Sequence, residues 1–498
     1  MVKLLAGDSH LTVRFQEFLS EKVAAALYGD LLKLRFELIK SPSIDKSLHV
    51  KPLVQNSFLG FDFQSEEITI NYFTRLRNLI FGIGLISLLI FLIFLRRNRE
   101  LANKKVTLVF GFTNLQIYEG KDVARFHHML SNECFDFSHQ TDVFLVESRK
   151  LRGTKHNQGG TLLTTYDNSI YLYRHFLNVQ EKIRLILSGC ALLFREYSFH
   201  RNKKSQLGSF AIKELILDFP VGKKVSQGRY LHHLVITPSN LFSKPGLYFS
   251  LREEQKSSMV WYSANSLPIE AKNEFSIWPD MTYLTVSHAD THYVWTETHC
   301  KYLAASTPGT VKCVGVISPN RYLLKPPSQR PGKFQIAIFD VTPVRLPHYQ
   351  EGFYSESRVK CFIDEIVLVK NSLQVDEELD VSLILKPKRS YSKDHSDLYS
   401  DFLKNLSAHG VLKICEPSFN LFDLVSASQF VICIPYTSPA VIAMELNVPV
   451  CYFSTSPGFD LLESVDGIPV HKSLDALRQH IEKSITAISC GFSEGPQK

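Results

Sequence analysis

The chain has 498 residues, 45% hydrophobic and 21% charged, with a formal net charge of +7. That length exceeds one domain and that composition is ordinary for a globular protein, so a disordered or fibrous chain is excluded and two or three sizeable cores are expected. The positive charge is spread without a Lys/Arg block, which points away from nucleic acid and toward anions or an anionic membrane face.

The opening "MVKLLAGDSH" lacks the apolar core of a secretory signal. From Phe15 to Ile39 apolar residues recur at helical spacing, which predicts an amphipathic helix pair. Leu79 to Leu95 carries no charge and is nearly all apolar. As a helix it would reach about 25 Å, a little short of the roughly 30 Å hydrocarbon core. Its composition predicts a membrane helix, with a re-entrant hairpin and a buried core helix as the alternatives. Arg75 and Arg77 precede it, and Arg96, Arg97, Arg99, Lys104 and Lys105 follow it. The heavier flank predicts that everything after it lies on the cytosolic side of the cytoplasmic membrane, the anchor being single-pass or monotopic. The side on which residues 1–78 sit is left open.

From Val106 the pattern changes to short apolar runs such as "VTLVFGF" and "TDVFLVES", followed by helix-length segments such as "YLYRHFLNVQEKIRLILSGCALLFREY". "SPNRYLLKPPSQRPGK", from Ser318 to Lys333, reads as a linker. Beyond it strands and helices alternate strictly: "FQIAIFD", a helix over "SESRVKCFIDEIVLVKNSL", "LDVSLILKPK", a helix ended by Gly410, "VLKICE", "FVICIP", a helix over "SPAVIAMELN", and "VPVCYF". This predicts an α/β protein with parallel sheets covered by helices on both faces. The expected divisions are a helical, membrane-associated region (1–78), the membrane helix (79–95), a first Rossmann-like domain (106–320) and a second (333–490). The nine cysteines include no CxxC, and they read as buried, reduced thiols.

In such sheets ligands bind beyond the carboxyl ends of the strands. Three polar loops stand there in the second domain. "YTSP" makes Ser438 a natural N-cap and Pro439 a natural first helical residue. Free amide groups, the helix dipole and the hydroxyls of Thr437 and Ser438 then suit a phosphate, although the same pair also serves simply to start a helix. "LKPKR" places Lys386, Lys388 and Arg389 at a strand end, either as a phosphate-neutralising cluster or as a solvated basic loop. "FDVTP" adds Asp340 and Thr342, which either contact a sugar hydroxyl or make a local turn.

No Walker loop, GxGxxG or HExxH occurs, and no Asp-x-Asp pair is available for a metal–diphosphate clamp. No metal and no cofactor is expected at the site. "SHADTHYVWTE" gathers His288, Asp290, His292 and Glu297, read as a general base, a metal site or a polar turn before a strand. "WYSANSLPIE" offers Asn265, Ser266 and Glu270 after a strand of the first domain.

Pro435-Tyr436-Thr437-Ser438, with "FDVTP", "LKPKR" and "YSANSLP" in this order, resembles the bacterial surface-polysaccharide biosynthesis proteins that carry a Pro-Phe-Thr-Ser motif. The resemblance covers roughly Met259 to Phe453. It implies a GT-B-type glycosyltransferase, with two Rossmann-like domains facing a cleft, a nucleotide-sugar donor in the second and a lipid-linked or growing glycan as acceptor. On that reading Lys386, Lys388, Arg389, Thr437 and Ser438 hold the donor phosphate, with Asp340 and Thr342 beside them. Asp290, His288 or Glu270 deprotonates the acceptor hydroxyl. One departure stands out: Ile442 occupies the place, seven residues before Pro449, where many GT-B enzymes carry a ribose-binding Glu. The alternatives are a non-catalytic GT-B-like scaffold of a polysaccharide assembly complex and a sugar-nucleotide epimerase.

Overall fold

The computed structural model describes residues 72–95, 104–110, 134–136, 143–147, 155–158, 160–165, 167–199, 212–226, 231–236, 246–251, 256–261, 270–271, 289–306, 309–317, 333–343, 353–376, 380–388, 396–417 and 419–491. The helix pair expected over 15–39 falls outside these, as does the linker expected from Ser318 to Lys333 except for Lys333 itself, which begins a strand.

The chain enters through helix α1 (Tyr72–Phe94) and strands β1 (Val106–Phe110), β2 (Val143–Glu147), β3 (Lys155–Gln158) and β4 (Gly160–Thr165). Helices α2 (Asn168–His175) and α3 (Val179–Phe199) follow, then a π-helical turn at Glu214–Asp218 that runs into α4 (Phe219–Ser226). The first half continues with β5 (Leu231–Ile236), α5 (Gly246–Leu251), β6 (Lys256–Val260), β7 (Glu270–Ala271), β8 (Thr291–Val294), α6 (Glu297–Ser306) and β9 (Thr310–Cys313). The second half comprises β10 (Lys333–Phe339), α7 (Glu356–Asp376), β11 (Asp380–Lys386), α8 (Asp397–Ala408), β12 (Lys413–Ile414), α9 (Leu421–Ser426) and β13 (Phe430–Cys433). It ends with α10 (Ser438–Glu445), β14 (Val450–Phe453), β15 (Phe459–Asp460), β16 (Ser464–Val465), β17 (Ile468–His471) and α11 (Leu474–Gly491).

Two sheets result. The first runs β3-β4-β2-β1-β5-β6-β8-β9 and the second β12-β11-β10-β13-β14-β17-β16. All pairings within them are parallel except β3 with β4 and β16 with β17. Numbered among themselves, the six parallel strands of the second sheet run 3-2-1-4-5-6, the doubly wound Rossmann order, with β16 antiparallel at the edge. The reason is legible strand by strand: Phe430, Val431, Ile432 and Cys433 are all buried, as are Val450 to Phe453, so helices must cover both faces.

The helix stops follow local chemistry. At the end of α10 the Asn447 amide donates to Met444 and the Val448 amide to Ala443, with Asn447 at φ +55°. This is a Schellman closure with Asn in the left-handed position. Gly410 closes α8 in the same way, at φ +68°. The continuous helix suggested by "YLYRHFLNVQEK" is instead two. Asn178 accepts from the Glu181 amide and Glu181 accepts from the Asn178 amide, both at 2.9 Å. That reciprocal capping box starts a new helix where the periodicity alone shows none.

Residues 79–95, expected to cross a bilayer, form most of α1 and its last flanking residue. One face of α1 is buried: Leu85, Ile86, Leu89 and Leu92 join the core beneath the first sheet. The Leu89 carbonyl accepts from the buried Tyr173 hydroxyl at 3.0 Å. Gly82 faces Leu193, and Gly189 faces Ile86 and Ile216, so α1 and α3 lie side by side at close range. Among the described residues no helix is long and apolar enough to cross a membrane. Eight of the cysteines are free thiols; Cys134, Cys190 and Cys361 are exposed, whereas Cys433 and Cys451 are buried as expected.

Candidate functional site

The doubly wound order puts the switch point of the second sheet between β10 and β13, whose following connections leave in opposite directions. The loops after β10, β11 and β13 therefore share one edge, and the backbones of β11 and β13 are two strand spacings, about 10 Å, apart. Lys386, Asp340, Thr342, Thr437 and Ser438 all belong to that edge. Arg389 lies outside the described residues.

Asp340 ties the edge together. It is 3% exposed. Its carboxylate accepts from the Lys388 amide at 2.9 Å and from the Tyr399 hydroxyl at 2.6 Å. Burial raises its pKa to about 6, against the lowering effects of those two hydrogen bonds and of Lys388 and Lys386. Asp340 is thus turned inward, and Thr342 is fully buried beside it. Both build the edge and neither presents itself to solvent.

Lys386 ends β11 and is half-buried; its ammonium donates to the Pro417 carbonyl at 2.7 Å. Burial lowers its pKa, while the Asp340 charge raises it. An ammonium has three N–H donors, so the Pro417 bond leaves the group able to meet an anion. Lys388 is exposed next to it.

The Pro435-Tyr436-Thr437-Ser438 loop is fixed by tyrosines. Tyr354 donates to the Pro435 carbonyl at 2.7 Å, and Tyr452 donates to the Thr437 carbonyl at 3.2 Å. Tyr436 is itself buried, meets Tyr452 edge to face at 5.5 Å, and accepts from the Leu462 amide at 2.7 Å. The N-cap of α10 is Thr437, with Pro in the first two helical positions, so Ser438 sits one place later than its sequence suggests. The Thr437 hydroxyl donates inward to the Ile434 carbonyl at 2.9 Å. The half-exposed Ser438 hydroxyl has no partner among the described residues. Of the two residues at the helix start, Thr437 is buried and Ser438 is half-exposed.

The candidate bases of the first half fare differently. Asp290 precedes β8 and so lies at the amino end of its strand, the edge opposite to the carboxyl ends. Its carboxylate accepts from the Ser257 amide and the Ser257 hydroxyl, both at 2.8 Å. This holds the starts of β6 and β8 together and removes Asp290 from the ligand edge. His292 is fully buried, accepting from the Trp261 indole at 3.4 Å and stacking on it. Glu297 opens α6. His288, Asn265 and Ser266 lie outside the described residues. Glu270 is in β7, whose backbone pairs antiparallel with β15, Glu270 opposite Asp460. That short ladder joins the two halves. A second link is the Asp466-Gly467 hairpin turn, where the Asp466 carboxylate accepts from the Thr298 amide at the start of α6, at 3.0 Å.

The residues that sequence reasoning missed are mainly the tyrosines. Tyr354 and Pro435 are 81 positions apart, and Tyr399 and Asp340 are 59 apart. No spacing rule links such pairs. Asp466-Gly467 does carry a signal, being a strong hairpin dipeptide between apolar residues.

A family profile described as "polysaccharide biosynthesis PFTS motif protein" matches residues 205–481. No curated protein matches the chain by sequence. Similar solved structures include an α,α-trehalose-phosphate synthase (UDP-forming) from Burkholderia vietnamiensis, at 9% identity and TM-score 0.39, covering 76% of this chain and 91% of that one. The corresponding enzyme from Burkholderia xenovorans gives 12%, 0.41, 76% and 91%. TarM gives 11% and 0.35, covering 57% of this chain and 52% of its own.

The buried Asp340 carboxyl makes a pH prediction. Its native pKa, about 6, lies above the ordinary 3.8, so the native state holds the proton more tightly. The resulting stabilisation is fully present below the ordinary value and lost as pH rises through the native one. Asp340→Asn does not titrate. The stability of wild type relative to Asp340→Asn should therefore fall by roughly 2 kcal/mol between about pH 4 and about pH 7, read by urea denaturation. A difference that is flat across this range contradicts the assignment.

Proposed function

The chain belongs to the polysaccharide biosynthesis PFTS motif family, and we propose that it acts there as a GT-B-type glycosyltransferase, moving a sugar from a nucleotide-activated donor to a lipid-linked or growing glycan. The observation that carries this reading is the position of the Pro435–Ser438 loop: it flanks the switch point of a Rossmann-ordered sheet, on the same edge as Lys386 at the end of β11. Sugar transfer leaves negative charge on the departing phosphate. A transferase accelerates it by holding donors where that charge develops. Here the donors are the Ser438 hydroxyl, the start of α10 and the Lys386 ammonium, with Lys388 and Arg389 on the same loop. Thr437, Asp340 and Thr342 keep these groups in place. With Asp290 at the far edge of its sheet, the proton of the acceptor hydroxyl falls to Glu270, the candidate base carried by the strand that joins the two halves.

The same reading gives the enzyme a membrane contact, by lying on the surface with α1 and α3 instead of crossing it. The outer faces of these helices are apolar: Ile80 is 61% exposed, Phe91 59%, Phe94 81%, Leu187 63% and Phe194 74%. Arg75 and Arg77 fall in the first two turns of α1 and Arg96, Arg97 and Arg99 follow it in sequence, suited to anionic headgroups. A lipid-linked acceptor lies at that surface.

Two measurements test these proposals. Purified protein assayed with nucleotide sugars and membrane glycolipid should transfer sugar. Ser438→Ala and Lys386→Met should each lower kcat/KM roughly 100-fold, and Glu270→Gln should abolish the alkaline-favoured limb of the rate profile. Full activity in both Ser438 and Lys386 variants goes against the donor site. In vesicle flotation with anionic phospholipid, Phe91→Asp combined with Leu187→Asp should weaken binding roughly 100-fold, from the loss of two buried apolar side chains. Unchanged flotation of that variant excludes the proposed surface.

A further inference from the structure

Away from the ligand loops, Cys451 of β14, His471 at the end of β17 and His480 of α11 point at one another. One ligand atom from each, a thiol sulfur and two imidazole nitrogens, lies within 4.8 Å of both others. His471 Nε2 and His480 Nδ1 are 2.9 Å apart, and the rings cross at 72°. Cys451 is fully buried, while both histidines are half-buried. We propose that these three side chains form a binding site for a borderline-soft divalent cation of the zinc class, with a water as the fourth ligand.

The geometry is close to what such an ion needs. Tetrahedral zinc, with nitrogens at about 2.0 Å and sulfur at about 2.3 Å, spaces two nitrogens about 3.3 Å apart and nitrogen from sulfur about 3.6 Å. Shifts of about 1 Å convert the present triangle into that arrangement. Thiolate with imidazole is also the donor set that selects zinc over magnesium or calcium. The histidines sit where solvent can supply the fourth ligand, and the sulfur sits behind them. Phe430 meets the His480 ring edge to face at 5.0 Å and helps fix its orientation.

Binding is a balanced exchange: the cation takes the thiolate, and the thiol proton leaves to water. The two imidazole nitrogens supply neutral lone pairs and the thiolate supplies the negative charge. Without metal, two neutral imidazoles share one N–H between facing nitrogens, above a thiol that burial keeps protonated. The ion would join β14, β17 and α11 at the base of the segment that carries β15 and the Asp466 turn to the first half. Its place is structural, and the inference stands independently of the donor site.

Tag-free full-length protein, stripped with a chelator, is titrated with Zn2+ against a chromophoric competitor and, separately, with Co2+. The expected result is one tight equivalent, a rise in melting temperature on saturation, and a thiolate-to-cobalt charge-transfer band. Cys451→Ala should abolish the band. His480→Gln and His471→Gln should each weaken binding roughly 100-fold, one ligand's share of a four-ligand zinc site. Circular dichroism of each variant identifies any that fails to fold, and the wild-type stoichiometry and cobalt spectrum decide the matter without them. Absence of a tight equivalent in wild type, or a cobalt spectrum without the thiolate band, overturns the proposal, as does unchanged affinity in a folded His480→Gln.

Discussion

A carboxylate without water organises the ligand edge of the second sheet. Asp340 ends up buried at the switch point because β10 is central and both sheet faces are covered. An ionised group in that position is costly unless hydrogen-bonded and paired. The Lys388 amide and the Tyr399 hydroxyl provide the bonds, and Lys386 provides nearby charge. Meeting those demands forces the loop after β11 to turn over the end of β10 and draws the first turn of α8 to the same point. The loop after β11 is therefore held over the end of β10, on the same sheet edge as the Pro435–Ser438 loop, as a consequence of satisfying one buried acid.

The motif loop is shaped by the same logic with neutral groups. Its carbonyls at Pro435 and Thr437 would be unsatisfied near the sheet edge, and two tyrosine hydroxyls meet them. Tyr436 turns inward and takes the Leu462 amide, which belongs to the segment reaching toward the first half. That segment also stacks Phe459 under the Arg358 guanidinium at 4.5 Å and against Phe353. It then pairs with β7 and inserts the Asp466 carboxylate at the start of α6, where amide groups and helix dipole favour a negative charge. The motif is thereby coupled, through a short run of contacts, to the junction between the two sheets.

Much of this architecture was readable from residues. Buried runs such as "FVICIP" and "PVCYF" gave parallel strands, Gly410 and Asn447 gave helix ends, and the loops carrying Asp340, Lys386 and Ser438 reach one edge, as strand alternation requires. What could not be read depends on contacts between distant residues or on strand direction. The cluster around Asp290 looked like chemistry because its composition is polar, but Asp290 precedes its strand, and in a parallel sheet that places it at the other edge, while His292 lies buried within the strand. The apolar run in α1 looked like a membrane span because hydropathy does not distinguish lipid from a neighbouring helix. Gly82 and Gly189, which let α1 and α3 approach, show that part of its surface is committed to protein. Asn178 broke a helix that periodicity would have continued, through a capping box with Glu181.

The central claim is that the edge formed by the loops after β10, β11 and β13 grips the phosphate of an activated sugar. Amide hydrogen exchange of the full chain, with and without a panel of nucleotide sugars, tests it most directly. The account predicts slowed exchange confined to 340–343, 386–389 and 435–441, produced by at least one donor and reversed by the matching free nucleotide. Protection that appears only in the first sheet, or no protection with any donor that the protein uses, would contradict it.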